Sequence, residues 1–377
     1  MTTGRPWPRN DVPAAAPDWV LAALKAFLDS DALGMARRPS PVEWRFESRY
    51  FSSLLYVTIV TGGAERARFV AKFPKATRGR GFTALPSRTS ADIELSEHEY
   101  RAFTLLSRTW PRGDTAFVQP LFCDASTGML VFKYLDGTDV YSPSIPRSLL
   151  GSMAPPALLA VVHRLGRALG QYHAGTVRVE EFDLGLLLRK IRSGASELNV
   201  TLPKWVPSSQ ACAPRSLQMV PSIKGFEIRN VRVAEGTIWL FDPGRLRDEP
   251  PEADVARFLV SLKMLGWGTP YFVWPLNTRP VEKAFVEGYV AQRSIDVEAL
   301  ALYGLREILW NWREALEVLA LKGRPALVRS LIMRLYIAPG FRRMWRNATR
   351  GHFLPPDSLS RGARSLQPRG WGAGASV

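Results

Sequence analysis

The sequence predicts an α+β chain, and three features predict it. Strand-like runs with period-two alternation fill the first third, helical periodicity dominates the remainder, and a short hairpin near residue 230 interrupts the helices. The chain has 377 residues, 46% of them hydrophobic, which is enough to bury a full core as one large or two modest domains. It carries no internal repeat.

The elements follow in order. Residues 1–17 are rich in Pro and Ala and are expected to be flexible. "DWVLAALKAFLDS" reads as a short helix capped at Asp18. Between Glu43 and Phe73, "EWRFES", "SLLYVTIV" and "RARFVAKF" read as an antiparallel ribbon with a turn at Gly62-Gly63. A basic loop, "KATRGRGFTALPSRTSAD", leads into the helical "IELSEHEYRAFTLLSRTW". Strands "AFVQPLFC" and "GMLVFKYL" end at the turn "DGT". Beyond it, "PPALLAVVHRLGRALGQYH" and "FDLGLLLRKI" carry the helical period, and further helices are expected over 251–265, 280–294, 298–322 and 325–337. "EIRNVRVA" and "GTIWLFD" form the hairpin among them.

The charge balance narrows the partners. Fifty Lys and Arg against 34 Asp and Glu leave +16, which favours nucleotide phosphates, a phospholipid surface, acidic glycans or nucleic acid. Cys123 and Cys212 have neither disulfide nor zinc spacing, so a reducing cytoplasm fits best. No signal core and no apolar run of roughly 18 to 20 residues is present, so a cytoplasmic or membrane-peripheral protein is expected.

Several residues carry possible chemistry. In "FVAKF", alternation puts Val70 and Lys72 on one strand face, where the Lys can reach nucleotide phosphates and its neighbour can lie under a base. The alternative is an ordinary Lys on a solvated face. In the helix that follows, Leu95, Glu99, Ala102, Phe103 and Leu106 share one stripe, so Glu99 interrupts an apolar face. A buried carboxylate needs a cation, and Lys72 is the obvious candidate; a boundary Glu with its tip in water is the alternative. Phe132, Lys133 and Leu135 lie where a strand runs into a hinge whose backbone groups could read an adenine edge. Asn230 and Asp242 end adjacent strands, and an amide with a carboxylate suits a hard divalent ion shared with phosphate oxygens. A turn Asp ahead of Pro-Gly is the plain reading.

Taken in order, Lys72, Glu99, "LVFKYLDGT", "LGRALGQYH", Asn230, "LFDPG" and "PPEADVARFL" resemble the aminoglycoside phosphotransferase family of the kinase-like superfamily, over roughly residues 40 to 265. The resemblance implies a two-lobed kinase-like fold: a small antiparallel-sheet lobe with one helix over 18–136, and a larger, mostly helical lobe over 137–350 containing the hairpin 223–245. A basic tail over 351–377 is expected to be disordered. It further implies ATP and Mg2+ as cofactors, with Lys72 on the nucleotide phosphates, Glu99 orienting it, Asn230 and Asp242 on the metal, and Asp254 as a structural acid.

Two departures stand out. The family's His-Gly-Asp ahead of the Asn falls on Ile223, Lys224 and Gly225, so the usual catalytic base is missing. The turn over the phosphates, "ESRYFSSLLY", has no Gly, leaving Ser48, Ser52 and Ser53 as possible hydroxyl donors. Glu227, three residues before Asn230, is a candidate substitute base; alternatively it is a solvent-facing loop Glu, or a partner for Arg229 or Lys224. His163 and His173 are expected to pack or cap.

The C-terminal region is distinct. Residues 301–377 hold twelve Arg and one Lys against three Glu and one Asp, which is nine of the sixteen net charges. Leu327, Val328, Leu331, Ile332 and Leu335 make an apolar stripe, followed by Phe341, Met344 and Trp345 amid arginines. An anionic membrane surface is one expected partner and packing on the helical region the other. Nucleic acid is not expected, for want of a recognition module. The expected activity is an ATP/Mg2+-dependent phosphotransferase acting on a hydroxyl of a small-molecule acceptor such as a sugar, glycan precursor, lipid head group or antibiotic. The alternative is a pseudokinase that binds nucleotide or acts as a scaffold.

Overall fold

The computed structural model describes residues 16–30, 42–49, 51–61, 65–76, 87–140, 156–207, 215–265, 277–321 and 325–354. In chain order it runs α1 (Asp18–Leu28), β1 (Val42–Ser48), β2 (Ser52–Thr61), β3 (Glu65–Pro74), α2 (Ser90–Thr109), β4 (Thr115–Phe117), β5 (Pro120–Asp124), β6 (Met129–Lys133) and β7 (Thr138–Asp139). Then come α3 (Pro156–Thr176), β8 (Arg178–Phe182), α4 (Leu184–Glu197), β9 (Arg215–Ile223), β10 (Val231–Ala234), β11 (Thr237–Leu240) and β12 (Leu246–Glu249). The helices α5 (Glu252–Leu265), α6 (Arg279–Val290), α7 (Val297–Leu321), α8 (Ala326–Ile332) and α9 (Ala338–Thr349) follow. The chain is α+β, as expected. It divides into two units, one comprising Met1–Arg101 with Gln119–Leu135 and the other Ala102–Val118 with Asp136–Val377.

The first unit is built on an antiparallel sheet in the order β1-β2-β3-β6-β5. Register opposes Lys72 to Leu54 and Leu130, and Val70 to Tyr56 and Phe132, so these six side chains share one face. The other face carries Phe46, Leu55, Val57, Ile59, Phe69, Ala71 and Phe73, which pack against Val20, Ala23, Leu24 and Phe27 of α1. Asp18 is not the cap expected of it: Pro17 holds that position and no side chain caps the helix. Asp18 instead stands in the first turn, where exposed N–H groups favour a carboxylate.

α2 begins at a reciprocal cap. Thr89 Oγ1 accepts from Asp92 N at 3.3 Å while the Asp92 carboxylate accepts from Thr89 N at 3.0 Å, satisfying donors the first turn leaves open. Its buried residues include Glu99, Ala102, Phe103 and Leu106, and Arg101 and Arg108 are exposed, as the stripe predicts.

The second unit holds two sheets, β4-β11-β10-β7 and β12-β9-β8, among its helices. The expected single strand "AFVQPLFC" is therefore two: β4 pairs in parallel with β11, whereas β5 belongs to the first unit's sheet. The sheet of β8, β9 and β12 was not expected. β8 is short and polar, and Pro221 argues against a central strand, yet β9 is central here. α3 and α6 cross where Gly166 and Gly288 sit, and a Cβ at Gly166 would lie 2.1 Å from the Phe285 carbonyl oxygen.

At the C-terminal end, α8 passes through a π-helical turn, Met333–Ile337, into α9. Phe341, Met344 and Trp345 face inward: Phe341 stacks on Trp312 at 5.5 Å, and Trp345 Nε1 donates to the Thr201 carbonyl at 3.1 Å. Of the expected tail, 351–354 is described and Phe353 is buried; the rest lies outside the described residues, as do Gly62-Gly63 and 1–15. Among the described residues, no helix is long and apolar enough to cross a membrane.

Candidate active site

In the first unit, Lys72 and Glu99 form an ion pair with side-chain exposures of only 13% and 3%. Strand alternation lifts Lys72 off the apolar face, and the helical stripe turns Glu99 inward to meet it. Their mutual neutralisation is what makes burial of either charge tolerable. Val70 and Phe132 lie half-buried on the Lys72 face. Lys133 is exposed opposite Phe69, and Tyr134 N donates to the Arg68 carbonyl at 2.8 Å, after which the chain leaves the sheet at half-buried Leu135.

The turn between β1 and β2 is braced rather than Gly-rich. Lys75 Nζ donates to Ser48 Oγ and to the Arg49 carbonyl, each at 2.7 Å, and Lys75 N donates to the Phe51 carbonyl at 2.8 Å. Burial pulls the Lys75 pKa down to about 8, against the opposing pull of Asp92. Ser52 is opposite Pro74, on Lys72's side of the sheet. Ser53 pairs with Phe73 and turns to the other face, where its buried Oγ has no hydrogen-bond partner among the described residues.

In the second unit, a single 3-10 turn, Ile228–Asn230, feeds β10. Val231 pairs with Leu240 and Phe241 N donates to the Asn230 carbonyl at 2.9 Å, so Asn230 and Asp242 reach the same end of the β10–β11 hairpin. Asn230 Nδ2 donates to the Gly225 carbonyl at 2.9 Å, which commits the amide nitrogen inward and leaves the oxygen for other partners. Asp242 adopts φ 52°, a left-handed conformation that Asp tolerates better than most residues.

Gly225 lies flush against this backbone. Its N donates to the Pro243 carbonyl at 2.9 Å, and a Cβ built there would fall 1.6 Å from the Asp242 carbonyl oxygen. The position that the family gives to its acid therefore admits only Gly in this loop conformation.

The frame under the loop is nonetheless elaborate. Asp254, fully buried, accepts from Ile223 N at 2.9 and 3.0 Å, from Ser222 Oγ at 2.6 Å and from Arg257 Nη1 at 2.6 Å. Burial alone would raise its pKa; the His173 hydrogen bond, the Arg257 guanidinium and the Ser222 hydroxyl bring it below the usual carboxylate range. His173 is held neutral by burial, with Nε2 donating to Asp254 at 3.2 Å and Nδ1 accepting from the Tyr289 hydroxyl at 2.9 Å. Arg257 also donates to the Ile223 carbonyl at 2.9 Å, and Ser261 Oγ accepts from Ile228 N at 3.1 Å. Sequence reading missed Arg257 and Ser261. Their signal is present: with Asp254 they recur at helical spacing and present one polar face to the loop.

Glu227 is ion-paired with Arg229, one of the partners expected for it, and at 13% exposure it is not the solvent-facing loop Glu; Arg229 Nη2 also lies 3.9 Å from a Glu314 carboxylate oxygen. The negative charges of Glu227, then Glu314 and Asp242, hold the Arg229 pKa above its ordinary value. Lys224, next to Gly225, places its amine 5.5 Å from the Trp310 ring centre.

Among the described residues no group of three or more His, Cys, Asp or Glu could hold a metal ion. Asn230 and Asp242 supply an amide oxygen and a carboxylate at one hairpin end, a donor set that suits Mg2+, which keeps water and phosphate oxygens for its remaining positions.

No family model and no curated protein matches the sequence. Solved structures to which the chain is similar include an amicoumacin kinase in complex with AMP-PNP and Ca2+, at 13% identity and TM-score 0.46, covering 90% of this chain and 99% of that one. A choline kinase from Cryptosporidium parvum Iowa II is 11% identical, with TM-score 0.48 and coverage of 89% and 94%. A choline/ethanolamine kinase family protein from Mesorhizobium loti is 16% identical, with TM-score 0.48 and coverage of 88% and 97%.

Proposed function

We propose that the chain is a phosphotransferase that moves the terminal phosphoryl group of ATP to a hydroxyl of a small molecule. The observation that carries this reading is the Lys72–Glu99 pair, a cation held at a fixed place on a sheet by a buried carboxylate. Phosphoryl transfer depends mainly on positioning and charge neutralisation, and such a cation supplies both.

In this reading Lys72 binds phosphate oxygens, Glu99 orients it, and Val70, Phe132, Lys133 and Leu135 flank the base. Ser52, on the Lys72 side, adds a hydroxyl; Ser53 faces the opposite side of the sheet and adds none. Asn230 and Asp242 hold Mg2+, which when bound neutralises triphosphate charge. Glu227 accepts the acceptor's proton, and doing so costs its ion pair with Arg229. A well-placed general base is worth about 100- to 10,000-fold, so turnover is slow if Glu227 fails in this role.

The test is transfer of labelled terminal phosphate from ATP across a panel of sugars, amino sugars and head-group alcohols. Asp242→Ala abolishes transfer, and Glu227→Gln slows it; unchanged turnover in Glu227→Gln refutes the proton-acceptor role. Gly225 favours a second reading, a nucleotide-binding scaffold, because its surroundings leave no space for the missing acid. Mg2+-dependent ATP binding without hydrolysis or transfer across the panel selects that reading.

A further inference from the structure

We propose that the helical segment from α8 through the π turn into α9 docks on an anionic lipid surface. Neither α8 nor the turn contains a buried residue. Leu327, Leu331 and Leu335 recur every fourth position and are 72%, 48% and 75% exposed, with Val328 beside them at 38%. The apolar residues of α9 are already used inward, so its Arg342, Arg343 and Arg346 point to solvent, as does Arg334 on the turn. From Val318 to Pro356 the sequence contains eight Lys and Arg and no Asp or Glu.

An apolar stripe with exposed arginines, in a stretch of sequence that itself contains no acid, satisfies both demands of a membrane interface: hydrocarbon to bury and cations for anionic headgroups. A second copy of the chain would bring like charges together. A nucleic acid would answer the arginines and leave the leucines in water. This surface does not depend on the reading of the phosphotransfer residues.

The full chain is tested by flotation with vesicles of phosphatidylcholine alone and of phosphatidylcholine mixed with phosphatidylglycerol. Binding is expected to the mixed vesicles only and to weaken with added salt. Each of Arg342→Gln, Arg343→Gln and Arg346→Gln reduces partitioning about fivefold, the equivalent of about 1 kcal/mol per basic residue. Leu327→Ser/Leu331→Ser/Leu335→Ser reduces it by at least tenfold, and because these side chains are exposed its melting temperature matches the parent's. Equal binding to both vesicle types overturns the proposal, as does no binding to either. Self-association that the leucine variant disperses, or RNA binding that the arginine variants weaken, each without flotation, overturns it in favour of that partner.

Discussion

Two buried carboxylates divide the labour differently. Glu99 in the first unit holds one side-chain amine, Lys72, and its burial serves that chemical group. Asp254 in the second unit holds backbone: it receives the Ile223 amide, together with Ser222, His173 and Arg257, and so fixes a loop whose tip residue is Gly225. In one unit both the support and the group it supports are present. In the other the support is complete and its tip carries Gly225, where the resemblance would place an acid, with Glu227 nearby but bound to Arg229. The frame stands whatever its tip presents, because it is an obligation of burial: the Ile223 amide and His173 Nε2 would be stranded without Asp254.

The largest predicted effect tests that obligation. Asp254→Ala leaves the Ile223 amide and His173 Nε2 buried without their acceptor, removes one of the anions paired with buried Arg257, and costs about 3–5 kcal/mol of stability, measured by chemical denaturation. Glu99→Gln costs less, because Lys72 keeps some access to water. Equal losses would erase the distinction between the two carboxylates.

A pH series sharpens it further, through Glu252, two positions before Asp254 on the same helix. Burial, partly offset by the Asp296 backbone N–H, raises the Glu252 pKa from 4.5 to about 7, opposite in direction to Asp254. Between pH 4.5 and 7 the folded chain retains a proton there that the unfolded chain has lost, so this group's contribution to stability falls as pH rises, by on the order of 3 kcal/mol in all. Asp254 behaves inversely: its contribution is present above its unfolded pKa and disappears as pH falls through its lower folded one. Glu252→Gln, which keeps an acceptor for Asp296 N, flattens the slope between pH 4.5 and 7; an unchanged slope assigns it to other groups.

The smallest predicted stability change concerns the loop tip. Gly225→Asp restores the family's acid in name, but its Cβ meets the Asp242 carbonyl, so it loses about 1–3 kcal/mol and gains no transfer activity. A gain in turnover would show that the loop has room after all.

Legibility in the sequence followed the physics of each element. The first unit's strands and the Glu99 stripe were readable because alternation and helical spacing are local properties, and the Lys72–Glu99 pairing followed from the cost of an unpaired buried carboxylate. Asn230 and Asp242 were readable as the ends of a hairpin. The β8–β9–β12 sheet was not, since Pro221 and a polar β8 deny it any strand signature. Nor was the crowding at Gly225, which depends on the Asp242 carbonyl folding back against it from the far side of the hairpin. Leu327, Leu331 and Leu335 read as an apolar stripe, but only the fold shows that they remain exposed while Phe341 and Trp345 are buried.

The most direct measurement of the central claim is the thermal shift produced by ATP with Mg2+ in the parent chain, in Lys72→Met and in Asp242→Asn. A ligand at 100 times its Kd stabilises by about 2.7 kcal/mol, a shift of several degrees for a domain of this size. The account predicts that shift in the parent, its loss without Mg2+, and a marked reduction in both variants. A parent chain indifferent to ATP and Mg2+, or a full shift retained in both variants, contradicts it.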